Sequence, residues 1–200
     1  MAIEKDIYKI ENFKGNERRH FNEWVLLEEK YNNENFIKNL KIRKRHPETK
    51  LPEKYEITFN IESIIGVNPP NGQGLQTPIF GNEHILTIEI PESYPADDDA
   101  SKPKFKFITD VWHPQVVFYG ILKGDVCLDF ELKKPSKTPL TNYIDTIWCY
   151  LTYNICMPEN RYPWPKDLTV ARWVREQARK HEWVRERAEK YEWIDFTNDI

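Results

Sequence analysis

The stretch GDVCLDF (124–130) sets Cys127 between Gly-Asp-Val and Leu-Asp, in a region with neither helical nor strand periodicity. A cysteine that fills a core usually rides on the periodic face of an element, and a reactive thiol needs access to solvent. Cys127 therefore reads either as a small core hydrophobe or as a nucleophile at the lip of a groove. The nearest imidazole along the chain, His113 in HPQ (113–115), is the base to test if Cys127 belongs to a cysteine hydrolase. Pro114 follows it directly and marks a turn, and no third group to orient the ring is evident. A structural turn histidine is the plainer reading. Cys149 and Cys156 lie on a strongly amphipathic segment and read as packing residues. Three cysteines at wide spacing form neither a disulfide framework nor the paired spacing of a zinc site.

The elements that must position these groups are legible from periodicity. Residues 17–31 predict a helix, with Phe21, Trp24, Val25, Glu28 and Tyr31 at helical spacing and NNEN (32–35) ending it. Four extended segments follow, at 36–46, 54–67, 84–90 and 104–109. The second alternates through Tyr55, Ile57, Phe59 and Ile61, the third through Leu86, Ile88 and Ile90, and the fourth through Phe105 and Phe107. Short turn-rich connections between them favour an antiparallel meander. One connection, GVNPPNGQG, is glycine-rich, but it lacks the Gly-Lys-Ser/Thr of a phosphate loop and joins two strands, so it reads as a hairpin loop.

From residue 110 to 139 no period holds, although Val, Phe, Ile, Leu and Trp are frequent there. A long irregular crossing of apolar composition inside a domain is more often functional than disordered. Residues 140–156 predict an amphipathic helix on Ile144, Ile147, Trp148, Leu151 and Ile155, capped by Thr141 or Asn142. A final charged helix is expected over 167–193, with Val170, Val174, His181, Val184, Ala188 and Tyr191 forming a stripe. It contains the near repeat WVREQARKHE and WVRERAEKYE, whose ten-residue period does not match the helical turn. Either this is a local duplication on a solvated helix, or Trp183, with Trp193, docks a partner.

Composition narrows the class. Hydrophobic residues make up 40% and aromatic residues 14% of the 200-residue chain, which argues for a packed core. A net charge of −3 supplies no basic field for nucleic acid. No signal-like run opens the sequence and no apolar stretch has membrane-spanning length, so a soluble cytoplasmic protein is expected, with no membrane partner. The domain organisation expected is an N-terminal extension over 1–16 and a single domain over 17–200.

The ordered set of elements and local motifs resembles the ubiquitin-conjugating enzyme family. The resemblance runs over roughly residues 17–192 and is carried by YP (94–95), KPKFKFIT (102–109), HPQ (113–115), GDVCLD (124–129) and TPLT (138–141) before an amphipathic helix. It implies an α+β fold: an N-terminal helix, a four-stranded antiparallel meander, an irregular active-site crossing, then C-terminal helices. It implies that Cys127 accepts the C-terminal acyl group of a ubiquitin-like protein as a thioester from an activating enzyme, and passes it to a lysine of a target. A ligase is a further implied partner, and neither cofactor nor metal is implied. Helix 17–31, with Arg18 and Arg19 near its start, would face the activating enzyme. His113 would be structural and Asp129 would match the family's aspartate, which is more often structural than catalytic. Gln115 stands where the family has an asparagine that orders the loop and is proposed to stabilise the oxyanion. The His113–Cys127 spacing is longer than usual, the tryptophan after Cys-Leu-Asp is missing, and only Glu159 answers to the acidic residue that positions the attacking lysine. Prokaryotic relatives, some acting in antiviral conjugation, depart in similar ways. These departures keep a second reading open: an inactive variant of the fold that binds a ubiquitin-like protein.

Overall fold

In the computed structural model, residues 11, 13–31, 34–70, 76–96, 98–128, 137–156 and 165–180 are described. The alternating segments pair in the order in which they occur. Strands β1 (Ile37–Arg45), β2 (Pro52–Asn68), β3 (Thr77–Glu89) and β4 (Lys104–Phe107) form one antiparallel sheet in the order β1-β2-β3-β4. Its inner face carries the predicted residues: Tyr55, Ile57, Phe59, Ile61, Leu86, Ile88, Phe105 and Phe107 are all buried. Helices α1 (Gly15–Tyr31) and α2 (Leu140–Leu151) cover this face. From α1 come Phe21, Trp24, Leu27 and Tyr31, and from α2 Leu140, Tyr143, Ile144, Ile147 and Leu151. The two helices are pinned together by polar contacts: the one proton of the Tyr31 hydroxyl is shared between Asp145 Oδ1 at 2.9 Å and the Thr141 carbonyl at 3.0 Å.

Three expectations are corrected. Strand β3 starts at Thr77, well before residue 84. Its first half pairs with the far end of β2 from Asn68↔Thr77 to Asn60↔Glu83, and register shifts between Asn60/Ser63 and Ile64/Gly66 break the alternation that would have revealed it. Helix α2 stops at Leu151 instead of continuing to 156: Thr152 closes it and Tyr153 turns left-handed, with φ of 60°. Neither Thr141 nor Asn142 caps α2. Pro139 occupies that position, and the carboxylate of Glu23 on α1 accepts the Leu140 N–H at 2.5 Å.

The last described element, α3 (Leu168–Lys180), packs elsewhere. Asp167 caps it, its Oδ1 accepting the N–H groups of Thr169 and Val170. Val170, Trp173 and Val174 join Ile64 and Val67 of β2, Trp112 and Tyr153 in a second apolar cluster. The indoles of Trp112 and Trp173 meet edge to face at 5.9 Å. His181, Trp183, Val184, Ala188, Tyr191 and Trp193 lie outside the described residues, so the docking reading of Trp183 is carried no further. Among the described residues no helix is long and apolar enough to cross a membrane.

Candidate active site

The described part of the crossing that follows β4, up to residue 128, is more ordered than its sequence predicts. Val126 N–H donates to Phe105 O at 3.1 Å and Phe107 N–H to Gly124 O at 2.9 Å, so residues 124–126 run antiparallel beside β4, with Lys106 opposite Asp125. On the other side Val116 pairs with Val126. Cys127 follows at once. Its N–H donates to Gln115 O at 2.8 Å, and its carbonyl accepts the Tyr150 hydroxyl from α2 at 3.1 Å. The peptide groups on both sides of the thiol are therefore fixed, while the residue itself is only partly buried. Of the two readings of Cys127, this geometry favours a presented thiol over a core filler.

His113 is fully buried. Its ring stacks on Tyr150, with centroids 4.6 Å apart, and meets the edge of Tyr153. Nδ1 accepts the Gln115 N–H at 3.2 Å, which places the ring proton on Nε2, where it is donated to the Ile155 carbonyl at 2.9 Å. Burial in this apolar box lowers its pKa to about 3. Both nitrogens are committed to backbone, so His113 orders the turn and has no free nitrogen to take a proton from Cys127. The chain leaves α2 early at Thr152, which lets Ile155 offer the carbonyl that His113 needs.

Gln115 is also fully buried, and neither Oε1 nor Nε2 has a hydrogen-bond partner among the described residues. Its main chain works on both sides, accepting from Cys127 and donating to His113. Pro114 ties the turn to α3, its carbonyl accepting the N–H groups of Lys166 and Asp167 at 2.8 and 3.0 Å. The structure thus brings Cys127, Gln115 and His113 into one unit with Tyr150, Ile155 and Asp167. Asp129 and Glu159 lie outside the described residues. On α1, Arg18 is exposed, and Arg19 bonds Glu23 at 3.1 Å. Sequence reasoning missed Tyr150, because its contribution is one hydroxyl given to a distant carbonyl. Its helical position was legible, and its partner was not.

A single helix, a four-stranded meander, a pinned cysteine turn and following helices together make a ubiquitin-conjugating fold. A solved chain from Plasmodium yoelii, provisionally assigned as a ubiquitin conjugating enzyme, superposes with a TM-score of 0.52 at 24% identity, over 88% of this chain and 94% of that one. In sequence, the chain is 34% identical over 114 residues to Ubiquitin-conjugating enzyme E2 21 of Caenorhabditis elegans, covering 56% of this chain and 46% of that protein. It is 42% identical over 53 residues to human Ubiquitin-conjugating enzyme E2 K, covering 26% and 23%. No family model matches the chain. It spans less than half the length of these curated relatives. Over that segment the sequence is similar to ubiquitin-conjugating enzymes, and the fold is theirs.

Proposed function

We propose that Cys127 is an acyl carrier: it takes the C-terminal acyl group of a ubiquitin-like protein from an activating enzyme and gives it to an amine, usually a lysine, of a target. In the first step the Cys127 thiolate adds to the thioester carbonyl and the activating enzyme's sulfur leaves as thiolate. In the second the amine nitrogen adds to the same carbonyl, the bond to Sγ breaks, and the surplus proton of the nitrogen passes to solvent. A thioester suits both steps, being a good acyl donor to nitrogen that survives in water.

The observation that carries the reading is Cys127, only partly buried, with its N–H and C=O both held, by Gln115 O and Tyr150 Oη. A fixed backbone confines the nucleophile to a small set of positions, which lowers the entropic part of the barrier. The activating enzyme is assigned to α1, where Arg18 is exposed. A cytoplasmic setting and a target or ligase partner belong to the same reading, as does a single domain over 17–200.

The second reading, a variant that binds a ubiquitin-like protein without accepting it, draws on Gln115. Its amide is sealed from solvent, whereas an oxyanion donor must meet the developing charge. One assay separates the two. The protein is mixed with ATP, an activating enzyme and its ubiquitin-like protein, and followed by intact mass and non-reducing gels beside Cys127→Ala and Cys127→Ser. The acyl-carrier reading expects a reductant-labile adduct on wild type, none on Cys127→Ala, and a reductant-resistant ester on Cys127→Ser. No adduct on wild type with a competent partner set leaves the binding module.

A further inference from the structure

The extra length between His113 and Cys127 is occupied by a hairpin over residues 117–125. At its base Gly124 N–H donates to Val117 O at 2.7 Å and Val117 N–H to Asp125 O at 3.0 Å. At its tip Lys123 N–H donates to Gly120 O and Asp125 N–H to Leu122 O. The Lys123 ammonium pairs with Asp110 at 2.5 Å and lies over the Phe118 ring. Phe118 packs on Trp112, and its N–H donates to Asp167. This held hairpin carries apolar side chains outward: Ile121 is 97% exposed, Leu122 56% and Tyr119 46%. Packing among the described residues does not account for an apolar tip on a firm mount, and such surfaces mark interaction sites.

We infer that this tip docks on the globular body of the ubiquitin-like protein while that protein is linked through Cys127. The inference rests on the acyl-carrier reading. Three observations select this occupant. The first is reach: Leu122 is five residues from Cys127, at most about 18 Å of chain, so a protein joined at Sγ stands beside the tip. The second is size. Three side chains fall far short of the roughly 800 Å² per partner of a free-standing complex. A partner already tethered by its acyl link works at an effective concentration on the order of millimolar and needs no such area. A target protein arriving from solution has no such link. The third is charge: the tip's lysine is answered within the chain by Asp110, so the surface it offers is apolar.

The test uses isotope-labelled ubiquitin bearing a small alkyl thioester at its C-terminus. The Cys127 thiol exchanges with it and releases the small thiol, so no activating enzyme enters. Wild type and the double variant Ile121→Asp, Leu122→Asp are compared as full chains. Both should load equally, because the substituted side chains face solvent. On wild type, resonances of one apolar patch of ubiquitin should shift on linkage. On the double variant they should return to free positions, and discharge to free lysine should slow by about tenfold as the donor loses its orientation. Identical spectra and discharge rates in the two proteins overturn the docking and leave the acyl-carrier reading intact. Unchanged spectra and free-lysine discharge with a selective loss of transfer to a protein target also overturn it, and hand the tip to the target. Failure of wild type to load by exchange or by an activating enzyme removes the acyl-carrier reading, and the docking with it.

Discussion

Gln115 is the residue where structure and chemistry pull apart. A buried amide with no partner costs stability, and a side chain of similar size without polar atoms removes that cost. Gln115→Leu is therefore expected to raise stability by about 1 kcal/mol in urea denaturation. If the amide serves the reaction, the same substitution slows single-turnover transfer from Cys127 by about tenfold or more. A purely structural role would leave the rate unchanged. His113 makes the complementary case through pH. Its folded pKa is about 3 against an ordinary 6.5. Between those values the unfolded chain binds the additional proton, so stability is complete above about pH 6.5 and falls as the pH drops toward 3. The loss by pH 5 is on the order of 2 kcal/mol from His113, and burial of His20, which lowers its pKa to about 4, acts in the same direction. Urea midpoints at pH 7.5 and pH 5 check this, and His113→Gln should flatten the slope while lowering stability throughout. The rate of transfer should show no inflection from His113 between pH 6 and 8. The motif HPQ was legible in the sequence as a turn. That its glutamine would be buried was not, since the turn is closed in by chain from much later: Tyr150 and Tyr153 pack on His113, and Lys166 and Asp167 bond Pro114.

At the scale of elements, the meander was readable because the later part of β3 and strands β2 and β4 alternate and the connections are short. The first half of β3 was not readable, because bulges on β2 suspend the alternation. The residue 124–126 ladder was hidden too: it is only three residues long and draws its hydrogen bonds from β4 on one side and residues 116–117 on the other. The two glycines of the 117–125 hairpin can be told apart by substitution. Gly124 has φ of 89°, and a Cβ there would stand 2.1 Å from the Phe107 carbonyl oxygen. Gly120 has φ of 80° with open space around it. Gly120→Ala should cost about 1 kcal/mol, the left-handed penalty alone. Gly124→Ala should cost several-fold more, separate the hairpin from β4, and abolish acylation of Cys127. Thermal denaturation and the gel assay read both effects. Helix α2 shows a related limit of local reading, for its N-terminal cap is Glu23, more than a hundred residues away along the chain.

At the scale of the whole molecule, two apolar clusters among the described residues share the work. The larger lies between the sheet and the helices α1 and α2, and the smaller joins the far end of β2 to α3. The sequence showed a valine stripe on α3 without saying what it faces, and Val170 and Val174 are buried. Their destination, beside Trp112 and next to the His113 turn, required the fold. Trp173→Ala should remove about 3–5 kcal/mol by opening a cavity there. Acylation of Cys127 should then decline with the folded fraction as temperature rises, which parallel melting and loading curves measure. The crossed indoles of Trp112 and Trp173 have an optical consequence as well. Two such chromophores 5.9 Å apart share their excitation, so the native chain should show a paired positive and negative band in its circular dichroism that either indole alone lacks. Because Trp112 adjoins His113 and Trp173 sits on α3, that signal registers whether the last helix is seated on the cysteine turn, and it can be watched in real time without a label.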